Sequence, residues 1–296
     1  MGQDYRRTRR SMTIQDECIA CIIRQSKRVS EAIGASEALS LALVSYIETS
    51  LEKPDFTLSP PIIAAPLYEE MARRAGKIDL YDEQKAHAVV QATQYMPFLR
   101  DTIEKSNDPF MALLKTAVVG NVIDLAAEVT FDLHGAITSV FDTPFAHDDT
   151  EIVRQRLKGA KTLLYIGDNT GEHIFDALAI EHLKLLYPEL EIFYMVRGNF
   201  IINDVTMKEA KEAKMDQLCT LIDSGVNTPG FVYERATQEA KSLFDTADII
   251  IAKGMGNYEC LTPIVRKNIC FLLKVKCSVV SRSLGHEIGS IICKID

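Results

Sequence analysis

Acidic, amide and basic side chains follow separate predicted strands in the second half of the sequence. Asp168 and Asn169 come after the first of these strands, Asn203 and Asp204 come in the loop after the second, and Lys253 follows the fourth. In an open parallel sheet, ligands bind beyond the carboxyl ends of the strands. Each group alone could be an ordinary turn, because Asp, Asn and Gly are common turn residues. Their occurrence after several strands favours a ligand site at one edge of the sheet.

The residue types at this edge suit a metal ion and a phosphate group. Asp168, Asn169 and Asp204 offer hard oxygen ligands, which Mg²⁺ and Mn²⁺ prefer. Two carboxylates balance a divalent charge, and the neutral amide adds an oxygen without repelling an anionic substrate. Lys253 can supply positive charge to a phosphate. Gly254 and Gly256 let backbone N–H groups come close to the phosphate oxygens. The pattern predicts metal-assisted phosphate chemistry.

Strands and helices alternate from about residue 161 onwards. Short apolar runs predict strands at 162–166, 192–196, 218–222 and 247–252, and alternating apolar residues at 269–275 suggest a fifth. Helical patterns lie between most of them. This alternation predicts an α/β fold with a parallel, Rossmann-like three-layer sheet that has helices on both faces.

The first half of the sequence has helical periodicity and no convincing strand. Five helices are predicted before residue 150, and one of them starts after Pro60-Pro61 and ends at Gly76, which fits the preference for proline at the start and glycine at the end of a helix. The arginine-rich start is polar. We therefore predict a flexible tail at 1–12, an α-helical subdomain at 13–120 and an α/β catalytic domain at 121–296, which work as one unit.

The composition excludes several classes of protein. Hydrophobic residues make up 47% of the chain, as in ordinary globular proteins, and 33 basic against 41 acidic residues give a net charge of −8. An acidic chain is a poor partner for nucleic acid. No apolar run reaches the roughly 20 residues of a membrane span. Seven sparse cysteines and no secretory signal favour reduced thiols and a cytoplasmic location.

Six segments of the chain carry motifs that recur together in one protein family. They are Cys18-x-x-Cys21, Gly120–Asp124, Gly167–Glu172, Asn203–Asp204, Lys253–Glu259 and Phe271–Cys277. Together they resemble the DUF89 family, the ARMT1-like metal-dependent damage-control phosphatases, and the Cys18-x-x-Cys21 segment is similar to the amino terminus of the prokaryotic branch of that family. The resemblance begins near residue 14 and extends over nearly the whole chain.

The resemblance implies hydrolysis of phosphate monoesters of small metabolites, for example damaged or side-product sugar phosphates, with a divalent metal such as Mn²⁺, Co²⁺, Ni²⁺ or Mg²⁺. It implies that Asp168, Asn169 and Asp204 hold the metal, that Lys253 faces the phosphate, and that Asn121 and Asp124 reach the same site. The substrate-binding residues expected in all are Asn121, Asp124, Arg197, Asn203, Lys253, Gly254, Gly256 and Asn257.

The helix that follows Asp168 adds further candidates. Glu172 is expected to take part in catalysis by orienting a water molecule, whereas Asp176, four residues later, is expected to be a supporting or helix-face group. The attacking group is either water or a carboxylate such as Asp168, and the sequence leaves both open. The oligomeric state is open as well.

Cys18 and Cys21 lie one helical turn apart and can face the same way. They are either part of a second metal or structural site, or two ordinary packed side chains. A structural zinc needs four ligands, so further cysteines would have to come near them.

Two other functions compete with the phosphatase prediction. One is a non-catalytic protein that binds a metal or metabolite at the same edge, and the other is a carboxyl methyltransferase that uses a methyl donor. Metal-dependent turnover of an aryl phosphate separates the phosphatase from both.

Overall fold

The sheet is built almost entirely from the second half of the chain, as a computed structural model that describes residues 12–122, 133–264, 266 and 268–296 shows. Its strands are β1 (His147–Asp148), β2 (Thr162–Ile166), β3 (Glu191–Val196), β4 (Thr220–Asp223), β5 (Ile249–Lys253), β6 (Ile269–Lys274) and β7 (Ile291–Ile295). Their order across the sheet is β1-β7-β6-β5-β2-β3-β4. The chain runs from β2 outward to β4 and then returns to place β5 on the other side of β2. The order therefore reverses between β2 and β5, where open α/β sheets bind ligands.

Helices cover both faces of this sheet. Within the described residues they are α1 (Asp16–Ala32), α2 (Glu37–Ser50), α3 (Pro60–Ala75), α4 (Asp82–Lys105), α5 (Pro109–Val122), α6 (Leu133–Asp142), α7 (Thr150–Gly159), α8 (Glu172–Leu186), α9 (Met207–Glu212), α10 (Gln238–Thr246), α11 (Gly254–Leu261) and α12 (Ser278–Leu284). The predicted α3 is confirmed, since Pro60 and Pro61 lie in its first turn and Gly76 ends it with φ +65°.

Two neighbouring strands at one end of the sheet, β7 and β1, run against the other five. The paired strands are parallel except for β6 and β7, which are antiparallel. The prediction of a parallel sheet is confirmed for β2 to β6, whereas β7 and its parallel neighbour β1 run in the opposite direction. The connection from β6 to β7 starts and finishes at the same sheet edge, where the Val275 N–H donates to the Ser290 carbonyl at 2.9 Å. The chain therefore turns back instead of crossing over the sheet. Neither β7 nor β1, which has only two residues, was predicted from the sequence.

Side chains that alternate along the strands supply two hydrophobic clusters, one on each face. Leu163 and Tyr165 of β2 belong to the cluster that includes side chains of α4, α5, α6 and α8. Leu164 and Ile166 belong to the cluster that includes side chains of α1, α2 and α3. The helices that precede residue 120 are thus divided between the two faces.

The predicted domain limits near residues 12 and 120 can be compared with the structure. Residues 1–11 of the predicted tail lie outside the described residues, whereas Met12 is buried in the core beside α1. The predicted boundary at residue 120 falls inside α5, which ends at Val122. The predicted end of that helix, near residue 125, lies outside the described residues. The division into two domains stays a prediction.

Candidate active site

Two loops are joined at the carboxyl edge of the sheet. Asn169, after β2, and Asp204, after β3, pair as an isolated antiparallel bridge. The Thr170 N–H donates to the Asn203 carbonyl at 2.8 Å, and the Val205 N–H donates to the Asp168 carbonyl at 2.9 Å. These hydrogen bonds hold the predicted metal ligands Asp168, Asn169 and Asp204 on adjoining segments.

The loop after β3 makes a sharp turn to reach this bridge. Ile202 has φ +39°, in the left-handed region that a β-branched residue seldom adopts. The Asp204 N–H donates to the Ile201 carbonyl at 3.1 Å and closes the turn. Asn203 was predicted to bind substrate, and its carbonyl accepts the Thr170 hydrogen bond described above. Backbone strain at Ile202 therefore accompanies the placement of Asp204.

Three carboxylates, those of Asp168, Glu172 and Asp204, form what we call the carboxylate cluster. They are 9%, 3% and 1% exposed. Asn121 of α5 donates through Nδ2 to Glu172 Oε2 at 2.8 Å and to Asp168 Oδ2 at 3.2 Å. Asn169 donates through Nδ2 to Glu172 Oε1 at 2.8 Å and to Asp168 Oδ2 at 3.2 Å. Two amides therefore bridge the same two carboxylates.

The cluster concentrates negative charge in a buried place. Burial raises the pKa of Asp168 above its ordinary value, and the nearby Glu172 and Asp204 raise it further. Burial also raises the pKa of Asp204, although Arg197 opposes this effect. Carboxylates that repel each other in a low-dielectric site are stabilised by a cation. The carboxylates of Asp168 and Asp204, with the amide oxygen of Asn169, thus offer the donor type that a hard divalent metal ion prefers.

The described residues do not include three or more His, Cys, Asp or Glu side chains that are placed to hold a metal ion. The predicted ligand set differs from such a group because it has two carboxylates and one amide. A set of this size leaves about half of the positions of an octahedral ion to water and substrate, as Mg²⁺ sites often do.

Arg197, at the end of β3, contributes a buried positive charge. Its Nε donates to Asp204 Oδ2 at 2.7 Å, and its Nη2 donates to Asn257 Oδ1 at 3.2 Å and lies 3.9 Å from Asp168 Oδ1. Its Nη1 is buried and has no hydrogen-bond partner in the part of the chain described here. The guanidinium thus holds Asp204 and keeps one donor for an anion.

Lys253 lies at the end of β5 and is completely buried. Its Nζ donates to Asp176 Oδ1 at 2.6 Å and is 3.6 Å from Glu172 Oε2. Asp176 also accepts hydrogen bonds from the hydroxyl groups of Tyr165, at 2.6 Å, and Tyr194, at 2.9 Å. The ammonium expected to face phosphate is therefore already bound to a carboxylate.

The two glycines predicted to approach phosphate have different surroundings. Gly254 has φ +75°, and a Cβ atom there would overlap with Asp168 Oδ2. A Cβ atom at Gly256 would instead overlap with the Pro229 carbonyl oxygen. Gly120 resembles Gly254, since a Cβ atom there would lie 2.5 Å from Glu172 Cγ. Gly254 and Gly120 therefore allow backbone to pack directly against the carboxylate cluster.

Of the remaining candidate residues, one supports the loops of the site and the others lie elsewhere or outside the described residues. The Asn257 Nδ2 donates to the carbonyls of Gly167, at 3.1 Å, and Lys253, at 2.7 Å, so it ties the ends of β2 and β5 together. Asp124 lies outside the described residues. Cys18 is buried in the core with α1, α2 and α3, whereas Cys21 is exposed. Their role as a metal site or as packing stays a prediction.

Tyr165 and Tyr194 were not recognised as polar partners in the sequence. They face each other across the β2–β3 ladder with ring centroids 5.5 Å apart. Each occupies a strand position that reads as apolar core. A tyrosine where a buried strand would carry phenylalanine is the one available signal, because a buried hydroxyl group needs a partner.

Comparison with known proteins identifies this arrangement. Residues 14–292 match the model of the damage-control phosphatase ARMT1-like domain. The chain belongs to the ARMT1-like damage-control phosphatases. The predicted resemblance to the DUF89 family is confirmed, and so is the prediction that the chain is a phosphatase.

Relatives of this phosphatase match it over nearly their whole length. A damage-control phosphatase of Pyrococcus horikoshii is 29% identical over 284 residues, which are 95% of this chain and 98% of the relative. A damage-control phosphatase of Archaeoglobus fulgidus is 29% identical over 293 residues, 96% of this chain and 99% of the relative. The crystal structure of a DUF89 family protein from P. horikoshii has a TM-score of 0.88 at 30% identity, and covers 96% of this chain and 99% of that one. The predicted α/β fold is thereby confirmed.

A search of the described helices finds none with the length and hydropathy needed to cross a bilayer.

Proposed function

We propose that this phosphatase hydrolyses phosphate monoesters of small metabolites with a divalent metal held by Asp168, Asn169 and Asp204. The observation that carries the proposal is the bridge between Asn169 and Asp204, which joins two acidic loops beside a buried arginine. Mn²⁺, Co²⁺, Ni²⁺ and Mg²⁺ are the proposed metals. The damage-control names of the relatives support damaged or side-product phosphates, sugar phosphates among them, as the substrate class.

Each residue of the site has a separate task in this proposal. When bound, the metal would polarise the phosphoryl group and offset the charge that develops on its oxygens. Arg197 binds a phosphate oxygen through its unpartnered Nη1 while its Nε keeps Asp204 in place. Glu172 accepts a hydrogen bond from the attacking water and orients it. Asn121 fixes the orientation of Glu172 through its Nδ2.

The proposal is tested by turnover of p-nitrophenyl phosphate with metal-free protein to which each of the four metals is added. We expect turnover with at least one metal and its loss on addition of EDTA, followed by recovery when the metal is restored. Turnover that survives complete removal of metal would contradict the proposal. A phosphate monoester panel then ranks sugar phosphates against other metabolites by kcat/KM.

The same preparation separates the two competing functions. Metal binding without hydrolysis of any ester would favour the non-catalytic protein, and transfer of a labelled methyl group to a carboxylate would favour the methyltransferase. The phosphatase names of the relatives support neither. A cytoplasmic location and the lack of nucleic-acid or membrane partners remain predictions.

A further inference from the structure

Asp176 and Lys253 form an ion pair beneath the carboxylate cluster. Both side chains are completely buried, and Lys253 Nζ lies 2.6 Å from Asp176 Oδ1. An ammonium group in such a place is stable only when it is paired, because its transfer from water costs several kcal/mol. Asp176 therefore neutralises the buried ammonium group of Lys253.

The surroundings of Asp176 are arranged to hold it in one position. Oδ1 accepts from the Tyr165 hydroxyl as well as from Lys253, and Oδ2 accepts from the Tyr194 hydroxyl. Gly167 follows β2 at this point, and a Cβ atom there would overlap with the Tyr194 hydroxyl oxygen. Three strands, β2, β3 and β5, thus place hydrogen-bond donors around one carboxylate of α8.

Lys253 has a second carboxylate within reach. Glu172 Oε2 is 3.6 Å from Nζ, compared with 2.6 Å for Asp176 Oδ1. Glu172 and Asp176 are four residues apart on α8, so they lie one above the other on the same helix face. The ammonium stands between them and makes its hydrogen bond with Asp176.

We propose that Asp176 is a positioning residue that keeps the Lys253 ammonium away from Glu172 and Asp168, so that the carboxylate cluster stays free to bind metal. The inference rests on the proposed function. In this arrangement Lys253 does not contact the phosphate. It provides a fixed positive charge behind Glu172.

Loss of the negative charge of Asp176 changes the pairing of Lys253. The Asp176→Asn side chain cannot neutralise Lys253, and a buried ammonium does not remain without a counter-charge. Glu172 is the next nearest carboxylate, so the ammonium pairs with Glu172. The negative charge of Glu172 is then neutralised and no longer contributes to the cluster. The ammonium then lies closer to Asp168, which two amides link to Glu172, and its positive charge opposes the binding of a divalent ion there.

The decisive measurement is the Mn²⁺ affinity of the metal-free full chain, followed by the EPR signal of free Mn²⁺. We expect Asp176→Asn to weaken Mn²⁺ binding by about tenfold or more, since the lost affinity reports competition by Lys253. The double variant Asp176→Asn, Lys253→Gln should recover binding to within about threefold of the original chain, because the competitor is gone. A merely structural role of Asp176 would not produce such a recovery.

A matched control lies on the same helix. Glu181 of α8 pairs with Arg100 at 2.5 Å near the surface, with about a third of its side chain exposed. Glu181→Gln also removes an acidic partner of a cation from α8, and it should leave both Mn²⁺ affinity and turnover unchanged.

A second variant tests the placement of Lys253 even if Asp176→Asn does not fold. Lys253→Gln should lower kcat for p-nitrophenyl phosphate by about tenfold while KM stays within about threefold, because the lysine acts behind Glu172 and not on the phosphate. A rise in KM of more than tenfold with Mn²⁺ affinity intact would mean that Lys253 contacts the phosphate, and would overturn the inference.

The other outcomes are equally distinct. Unchanged Mn²⁺ affinity in folded Asp176→Asn, or a loss that the double variant does not recover, overturns the inference alone. Absence of Mn²⁺ binding and of metal-dependent turnover in the original chain overturns the proposed function, and this inference with it.

Discussion

Asn169 and Asp204 pair across two loops that leave neighbouring parallel strands, as a single antiparallel bridge outside the regular sheet. The two strands, β2 and β3, are in register from Thr162 opposite Glu191 to Ile166 opposite Met195. Their loops therefore begin at the same height, and one bridge is enough to align them. Substitutions that leave this loop alignment intact can distinguish a residue's role in catalysis from its role in holding the loops together.

Asp204→Asn keeps the shape of the side chain and removes one negative charge from the cluster. We expect turnover of p-nitrophenyl phosphate to fall by about 100-fold or more and Mn²⁺ binding to weaken, because a carboxylate ligand is lost. Asp223→Asn is the control, since Asp223 ends β4 at the same sheet edge and is exposed. Turnover within a few-fold of the original in folded Asp204→Asn would exclude Asp204 from the metal site.

Arg197→Lys preserves the positive charge but not the planar arrangement of donors. A lysine cannot reach Asp204 and Asn257 and also offer a free donor, so we expect KM for the phosphate ester to rise by about tenfold. Arg100→Lys, which keeps a surface ion pair with Glu181, should leave KM unchanged. Steady-state kinetics at saturating metal checks this, and an unchanged KM in folded Arg197→Lys would remove the arginine from substrate binding.

Gly254→Ala introduces both backbone strain and an overlap with Asp168. Gly285→Ala introduces the backbone strain alone and therefore serves as its control. Gly254 and Gly285 have φ +75° and +74°, and each alanine should destabilise the fold by roughly 1–2 kcal/mol through backbone strain. A Cβ atom at Gly285 meets nothing within 4 Å, whereas one at Gly254 overlaps with Asp168. We therefore expect only Gly254→Ala to lose turnover per folded molecule. Equal turnover in the two variants would show that the contact with Asp168 does not matter.

Glu259, on α11, gives the fold a pH dependence of its own. Burial raises its pKa from 4.5 to about 7. Between these values the folded chain binds more protons than the unfolded chain, so this carboxyl lowers the free energy of unfolding as pH rises from 4.5 to about 7. Burial also raises the pKa of the neighbouring Cys18 to about 11, so that this thiol stays protonated throughout.

Glu259→Gln is neutral at every pH and should remove this effect. We expect the variant to raise the thermal midpoint more at pH 8 than at pH 5, measured by circular dichroism. Glu239→Gln, at an exposed position in the first turn of α10, controls for the loss of one acidic charge. A midpoint difference that is the same at both pH values would contradict the shifted pKa.

The double change Cys18→Ser and Cys21→Ser should cost stability and leave catalysis intact. Cys18 is packed in the core, and a buried hydroxyl there destabilises by about 1 kcal/mol, whereas Cys21 is exposed. Cys21→Ser alone should change little. The measurements are thermal midpoint, bound zinc or iron, and turnover per folded molecule in one preparation. Loss of turnover at an unchanged midpoint would place the cysteines in the active site.

The loops that carry the site residues could be predicted because the sequence patterns that mark them lie within short stretches of the chain. Asp168 follows a short apolar run and precedes a helical pattern, and each feature is visible within about ten residues of sequence. The same holds for Lys253 after β5. Their convergence follows from the rule that parallel strands present their carboxyl ends at one edge.

The partners of Lys253 could not be predicted in this way. Tyr165 and Tyr194 carry hydroxyl groups at strand positions that also suit a wholly apolar core. Whether these hydroxyls meet Asp176 depends on how α8 lies across β2 and β3, which is a property of the packed layers. The strand β7 was not predicted at all, and even a recognised apolar run there would not reveal whether its chain has crossed the sheet.

The outermost strands of the sheet limit how the protein can associate with itself. β1 consists of only His147 and Asp148, and β4 has four residues, with Thr220 and Asp223 exposed. A strand added by another molecule would find few free backbone groups at either end of the sheet, and charged or polar side chains beside them. The central strands can therefore be largely apolar, and even a destabilised variant that keeps these ends should resist assembly into fibres.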